Sequence, residues 1–238
     1  ALAYAHQLRQ MREADFFLSM DVDEFLNVRV GDHSLGALFD ATGAFDVLSV
    51  TEVNHGSNHH EHYSPGWLTE QFPRHQTLTP GKLKARRGVK SIVRLSERVE
   101  QLRNHRPDMR GDAGPILWLD GSGRVVTHFM QDRQENGHDC RHSYDLVRLE
   151  HFALRSLDSY LAKMYRGDVV VADKMVSQRY WRTRNSQEDL SNGYEVQLKR
   201  AKAWAKKHLE KDKALMALHE DACKAHAARI SQLLCDPV

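Results

Sequence analysis

A short apolar run, Phe16-Phe17-Leu18-Ser19-Met20, passes directly into the acidic string Asp21-Val22-Asp23-Glu24. With Asp15 in front of it, a run of this length predicts a buried strand bounded by charge. Two carboxylates one residue apart at the end of such a strand present their oxygens to one crevice when the chain turns. In open α/β sheets, ligands collect outside the carboxyl ends of the strands. Hard divalent cations take carboxylate, water and phosphate oxygens, and such an ion neutralises charge that develops on a departing diphosphate. An isolated Asp-x-Asp triplet is more often a solvated turn, so its neighbours decide the matter.

Those neighbours have the pattern of an α/β core. Periodicity predicts a helix over residues 2–13 and a short helix from Ser34, as N-cap, through Phe39. Further strands are expected at 46–51, 90–95, 116–119, 125–129 and 144–152, with a hairpin turn at Asp120-Gly121-Ser122-Gly123. The stretch 54–80 carries Gly56, Pro65, Gly66 and Pro73 and reads as loop, while 131–143 is polar. From Ser156 the character changes. Leu157, Tyr160, Leu161 and Met164 fall on one helical face, and 195–234 lacks Pro and Gly and predicts one or two helices. The fold expected is α/β, a GT-A-like (Rossmann-like) mixed sheet over residues 1–152 with a helical C-terminal region over 153–238.

Composition excludes several classes. With 34 basic against 32 acidic side chains, the net charge of +2 supplies no general drive toward nucleic acid. No apolar stretch approaches the ~20 residues of a membrane span, and no signal peptide is visible. Cys140, Cys223 and Cys235 form no C-x-x-C pair, which fits packed thiols in a reducing, cytoplasmic setting. The first residue is not Met and the chain opens on a helix running into a strand, as expected of a chain entered partway through a fold.

The string Phe17-Leu-Ser-Met-Asp21-Val-Asp23-Glu24-Phe25-Leu26 resembles the "lDxDEFl" signature of bacterial family 2-type glycosyltransferases, which have the GT-A fold. Other segments resemble family elements in the same order. Asn54-His55-Gly56-Ser57-Asn58 is similar to the glycine-serine loop, with His55 where an aromatic is usual. Thr69-Glu70-Gln71-Phe72 is similar to "xERF", with Gln71 for Arg. Lys90-Ser91-Ile92-Val93-Arg94 and Asn104-His105-Arg106-Pro107 resemble "KxIxR" and "HxP". The stretch from Leu149 to Gly167 is similar to "NHYxxKSxxxFxxKxxRG". The resemblance implies an inverting glycosyltransferase with a nucleotide-diphospho-sugar donor and a glycan or other hydroxyl acceptor, in surface glycan or polysaccharide synthesis. It also implies an N-terminal βαβ unit of at least ~30 residues that does not precede Asp21 here.

On this reading Asp21 and Asp23 hold Mg²⁺ or Mn²⁺, and the resemblance adds His151 as a third ligand. Glu70 is either the base for the acceptor hydroxyl or an ordinary surface carboxylate. Lys90 and Arg94 share one strand face and either bind diphosphate or an anionic acceptor, or are solvent-facing charges on an edge strand. Lys163 and Arg166, one helical turn apart, either face the leaving diphosphate or form a solvated helix face. His105 is carried by the resemblance, and Trp67 is placed to stack on a sugar. The histidines at 55, 59, 60 and 62 fit an acceptor-side loop better than a zinc site. The Lys-rich run 199–213 reads as a solvated helix face, with peripheral membrane contact open to it. Two alternatives remain: a sugar- or nucleotide-binding relative without turnover, and a metal-dependent phosphohydrolase.

Overall fold

The computed structural model describes residues 2–5, 8–83, 86–112, 114–126, 138–167, 177–190 and 193–235. The chain divides into two compact units, Ala1–Val53 with Leu78–His151, and Asn54–Thr77 with Phe152–Val238.

The first unit is mixed α/β. Its sheet has six strands in the order Phe16–Leu18, Val89–Arg94, Val47–Asn54, Val147–His151, Glu24–Val28, with Trp118–Asp120 also beside Val47–Asn54. Trp118–Asp120 runs parallel to Val47–Asn54, whereas Val89–Arg94 runs antiparallel to both Phe16–Leu18 and Val47–Asn54, and Val147–His151 runs antiparallel to Glu24–Val28. Successive strand residues point to opposite faces. Leu48, Val50, Ile92, Val147 and Leu149 therefore pack on one face with Leu38 and Phe45, while Val47 and Trp118 join Met109 and Val126 in a separate cluster. Leu38 comes from the helix Leu35–Thr42, whose N-cap is the expected Ser34: its Oγ accepts from the Ala37 N–H at 3.1 Å.

The strand Glu24–Val28 is not foreseen by the sequence reading. Its Glu and Asn obscure a two-residue alternation that becomes plain once Leu26 sits opposite Leu149 and Val28 opposite Val147. Asn27 is tolerated because its Nδ2 donates to buried Glu150 Oε1 at 2.7 Å. The expected hairpin forms. The Gly123 N–H donates to Asp120 O, and Val126 N–H to Trp118 O, both at 2.9 Å. The remainder of the strand expected at 125–129 lies outside the described residues. So does most of the polar stretch after it, although His138–Asp139 pairs with Arg86–Arg87.

The second unit is mainly helical: Leu157–Arg166, Gln178–Arg184, Glu195–His208 and Lys213–Cys235. Residues 54–77 belong to it and carry the short helix Leu68–Gln71 and the strand Arg74–His75, paired with Asp189–Leu190. Asp212 separates the last two helices without Gly or Pro, its Oδ1 accepting from the Ala214 and Leu215 N–H groups, both at 3.0 Å. The N-terminal helix expected over 2–13 is two short pieces, Leu2–Ala5 and Arg9–Glu13. All three cysteines are free thiols. Among the described residues no helix is long and apolar enough to cross a membrane.

Candidate functional site

On the sheet face that carries Leu48, Ile92 and Leu149, the apolar rows stop at one end and a polar row follows. The strand registers account for this. Lys90 lies opposite Val50 and two residues from Ile92; His151 lies opposite Glu24 and two residues from Leu149; Glu52 is two residues beyond Val50. Four strands thus contribute one ionisable side chain each to the end of a single core face.

Lys90 organises half of this row. Its side chain is 1% exposed, and a buried ammonium requires counter-charge and hydrogen-bond acceptors. Its Nζ has Asn104 Oδ1 at 2.9 Å, Asp21 Oδ2 at 3.1 Å and Glu24 Oε2 at 3.6 Å. Asn104 Oδ1 also accepts from Ser19 Oγ at 2.8 Å, and Glu24 Oε2 accepts from the Asp21 N–H at 2.9 Å. The acidic turn is therefore closed from within by Glu24 and from beneath by Lys90. Burial pushes the Glu24 carboxyl above its ordinary pKa; the Asp21 N–H, the Lys90 charge and His151 oppose that shift, and the Asp21 charge adds to it.

The other half of the row centres on Glu52. His151 Nδ1 lies 3.2 Å from Glu52 Oε2, and Arg87 Nη2 lies 3.6 Å from Glu52 Oε1. Carboxylates alternate along the row with Arg87, His151 and Lys90, so Glu52 meets Arg87 and His151 and Glu24 meets Lys90.

The two aspartates differ. Asp21 is 55% exposed and bonded to Lys90. Asp23 is half-buried in the same turn and has no hydrogen-bond or ion-pair partner among the described residues. Among the described residues no three His, Cys, Asp or Glu side chains gather as a metal-holding group, so Asp21, Asp23 and His151 are not assembled into a three-ligand set. The donor set that remains is two hard carboxylates in one turn. That fits Mg²⁺ or Mn²⁺ in the usual manner of substrate-shared ions, where one or two carboxylates combine with phosphate oxygens and water.

Lys90 and Arg94 share a face as expected, but their strand is interior, lying between Phe16–Leu18 and Val47–Asn54. The reading of solvent-facing charges on an edge strand is corrected for both. Arg94 lies at the far end of the strand, its Nε donating to Phe45 O at 3.0 Å and its guanidinium 4.7 Å from the Phe16 ring centroid. His105 is half-buried with Nδ1 3.0 Å from Val89 O, close to the Asn104 that holds Lys90.

The remaining candidates belong to the second unit. Glu70 is exposed and ion-paired with Lys202, whose Nζ also lies 5.8 Å from the centroid of Trp67, itself 39% exposed. Lys163 Nζ donates to Ala153 O at 3.0 Å and sits 5.1 Å from the Tyr180 centroid, while Arg166 is exposed at the end of the same helix. His55 is a core residue, 1% exposed and stacked on Phe152 at 4.1 Å.

Glu52, Asn104, Ser19 and Arg87 are participants that sequence reasoning misses. Glu52 left one signal, a carboxylate inside the apolar run Val50-Thr51-Glu52-Val53. Asn104 left none, because its role depends on the depth of Lys90. Comparisons of the chain with family models, with curated protein sequences and with solved structures return no match.

Proposed function

We propose that this chain acts as a metal-dependent glycosyltransferase of GT-A-like fold, moving a glycosyl group from a nucleotide-diphospho-sugar to a hydroxyl acceptor. The observation that carries the reading is the acidic turn. Asp21 is held in place by buried Lys90, itself bonded to Asn104, while among the described residues the Asp23 carboxylate beside it has no partner. Asp21 and Asp23 would hold Mg²⁺ or Mn²⁺, and the ion would neutralise charge on the diphosphate leaving group. Lys90 keeps the Asp21 oxygens oriented. At 1% exposure it acts through Asp21 rather than by touching the donor. His151 orients toward Glu52, so its contribution is to the polar row. An inverting transfer needs a carboxylate to take the proton of the acceptor hydroxyl, and Glu70 is the candidate for that base. Surface glycan or polysaccharide synthesis is the setting that the resemblance implies.

One observation favours a second reading, a nucleotide- or sugar-binding relative without turnover. The Lys90 ammonium already supplies a cation to Asp21 and Glu24, as a site that has given up its metal would need.

Calorimetric titration of UDP and GDP, with and without Mn²⁺, tests the first reading on this chain and on Asp23→Ala. The expected result is Mn²⁺-dependent binding that Asp23→Ala abolishes. Binding that ignores both metal and substitution would select the second reading. An absence of binding by the folded chain and by a version extended at its N-terminus would remove both.

A further inference from the structure

The helix Glu195–His208 presents a face that the proposed reaction does not use. Over residues 196–209 the chain has Lys199, Arg200, Lys202, Lys206 and Lys207 and no carboxylate, although the whole chain carries a net charge of only +2. Positive charge is therefore concentrated along this helix, whose one carboxylate, Glu195, stands at its first position. Its inward side is set by Ala205, 6% exposed, and by Lys202, which is tied to Glu70. At 100° per residue the opposite side carries Val196, Arg200, Ala203 and Lys207, with Lys199 on one flank and Trp204 on the other. Val196 is 44% exposed and Trp204 56%, and the Trp204 ring stacks on His208 at 4.9 Å, presented outward.

We infer that this face docks on an anionic lipid bilayer, with the lysines over the headgroups and the Trp204 indole in the interfacial layer. The occupant follows from two properties together. The cations require a surface of negative charge, and a run without carboxylates presents no repulsion to it. An exposed indole on a helix that also exposes a β-branched side chain gains little from a hydrated polyanion. It gains both apolar burial and a hydrogen-bonding site for its N–H at the headgroup level of a bilayer. The inference is independent of the donor site, because it involves none of its residues.

The test is co-sedimentation of the chain with vesicles of phosphatidylcholine alone and of phosphatidylcholine with 30% phosphatidylglycerol, the latter composition chosen on the order of physiological anionic content. Trp fluorescence is recorded in parallel. The expected result is binding to the anionic vesicles only, with a blue shift in emission and release at high salt. Lys199→Gln/Lys207→Gln should weaken binding on the order of 30-fold, and Trp204→Ala should weaken it several-fold and remove the blue shift. All three positions are exposed, so unchanged thermal midpoints are expected and separate a lost surface from a lost fold. Equal binding to neutral vesicles, no binding to either, full binding by the double variant, or binding to heparin without binding to vesicles would each overturn the inference. No nucleotide is present, so failure here leaves the donor titration untouched, and the reverse also holds.

Discussion

Lys90 Nζ lies 3.1 Å from Asp21 Oδ2, joining a side chain 1% exposed to one that is 55% exposed. The pair spans the boundary between core and solvent, with exposed Asn104 and buried Glu24 completing the ammonium's partners. Removing one member of a buried ion pair leaves the other uncompensated. Lys90→Met should therefore cost about 3 kcal/mol in urea unfolding. Adding Glu24→Gln should return part of that loss, because it removes the stranded carboxylate. An additive double variant would show that the two groups do not interact.

Glu70 is exposed and paired with Lys202, so its role can be separated from stability. Glu70→Gln should leave the thermal midpoint within a degree or two, as exposed substitutions usually do. If it is the base, glycosyl transfer should fall roughly 100-fold or more with Mn²⁺-dependent nucleotide binding retained. Unchanged turnover would pass the role to another carboxylate.

Gly121 occupies a place that no side chain can share. A Cβ there would lie 2.4 Å from Ser143 O and 2.8 Å from Val147 O, both backbone atoms. Its own carbonyl accepts from the Leu146 and Val147 N–H groups at 2.9 and 3.1 Å, so the clash falls where two segments of the first unit are joined. Gly121→Ala should destabilise by about 1–3 kcal/mol or more, as overpacking does, measured by denaturant midpoint.

His226 gives the second unit a pH dependence. Burial, and secondarily the Arg155 charge, hold its imidazole below the ordinary value of 6.5. Between the lowered value and 6.5 the folded chain binds fewer protons than the unfolded chain, so stability rises with pH across that window. The contribution is complete above 6.5 and is lost as pH falls through the folded value. His226→Asn should flatten this part of the stability-against-pH curve in thermal unfolding, while also losing the 3.2 Å contact to Ser159 Oγ. An unchanged slope would place the dependence on another histidine.

Much of the local structure was determined by the sequence alone. The apolar run at Phe16–Leu18, the Ser34 and Ser156 caps, the Asp120–Gly123 turn and the amphipathic helix after Ser156 all rest on interactions within a few residues, which periodicity and capping chemistry report directly. The acidic string was legible as a charged turn at the end of a strand for the same reason. What only the tertiary structure decided was which charges meet. The sequence placed Lys90 and Arg94 on one face, but strand order buried Lys90 under the acidic turn and gave Arg94 to an aromatic cluster. His151 could be named beforehand, yet its neighbour Glu52 depended on the strand order, and its place opposite Glu24 on a strand masked by its own polar residues. Residue pairs 69 or 99 positions apart in sequence are set by long-range register, and no local pattern carries that information.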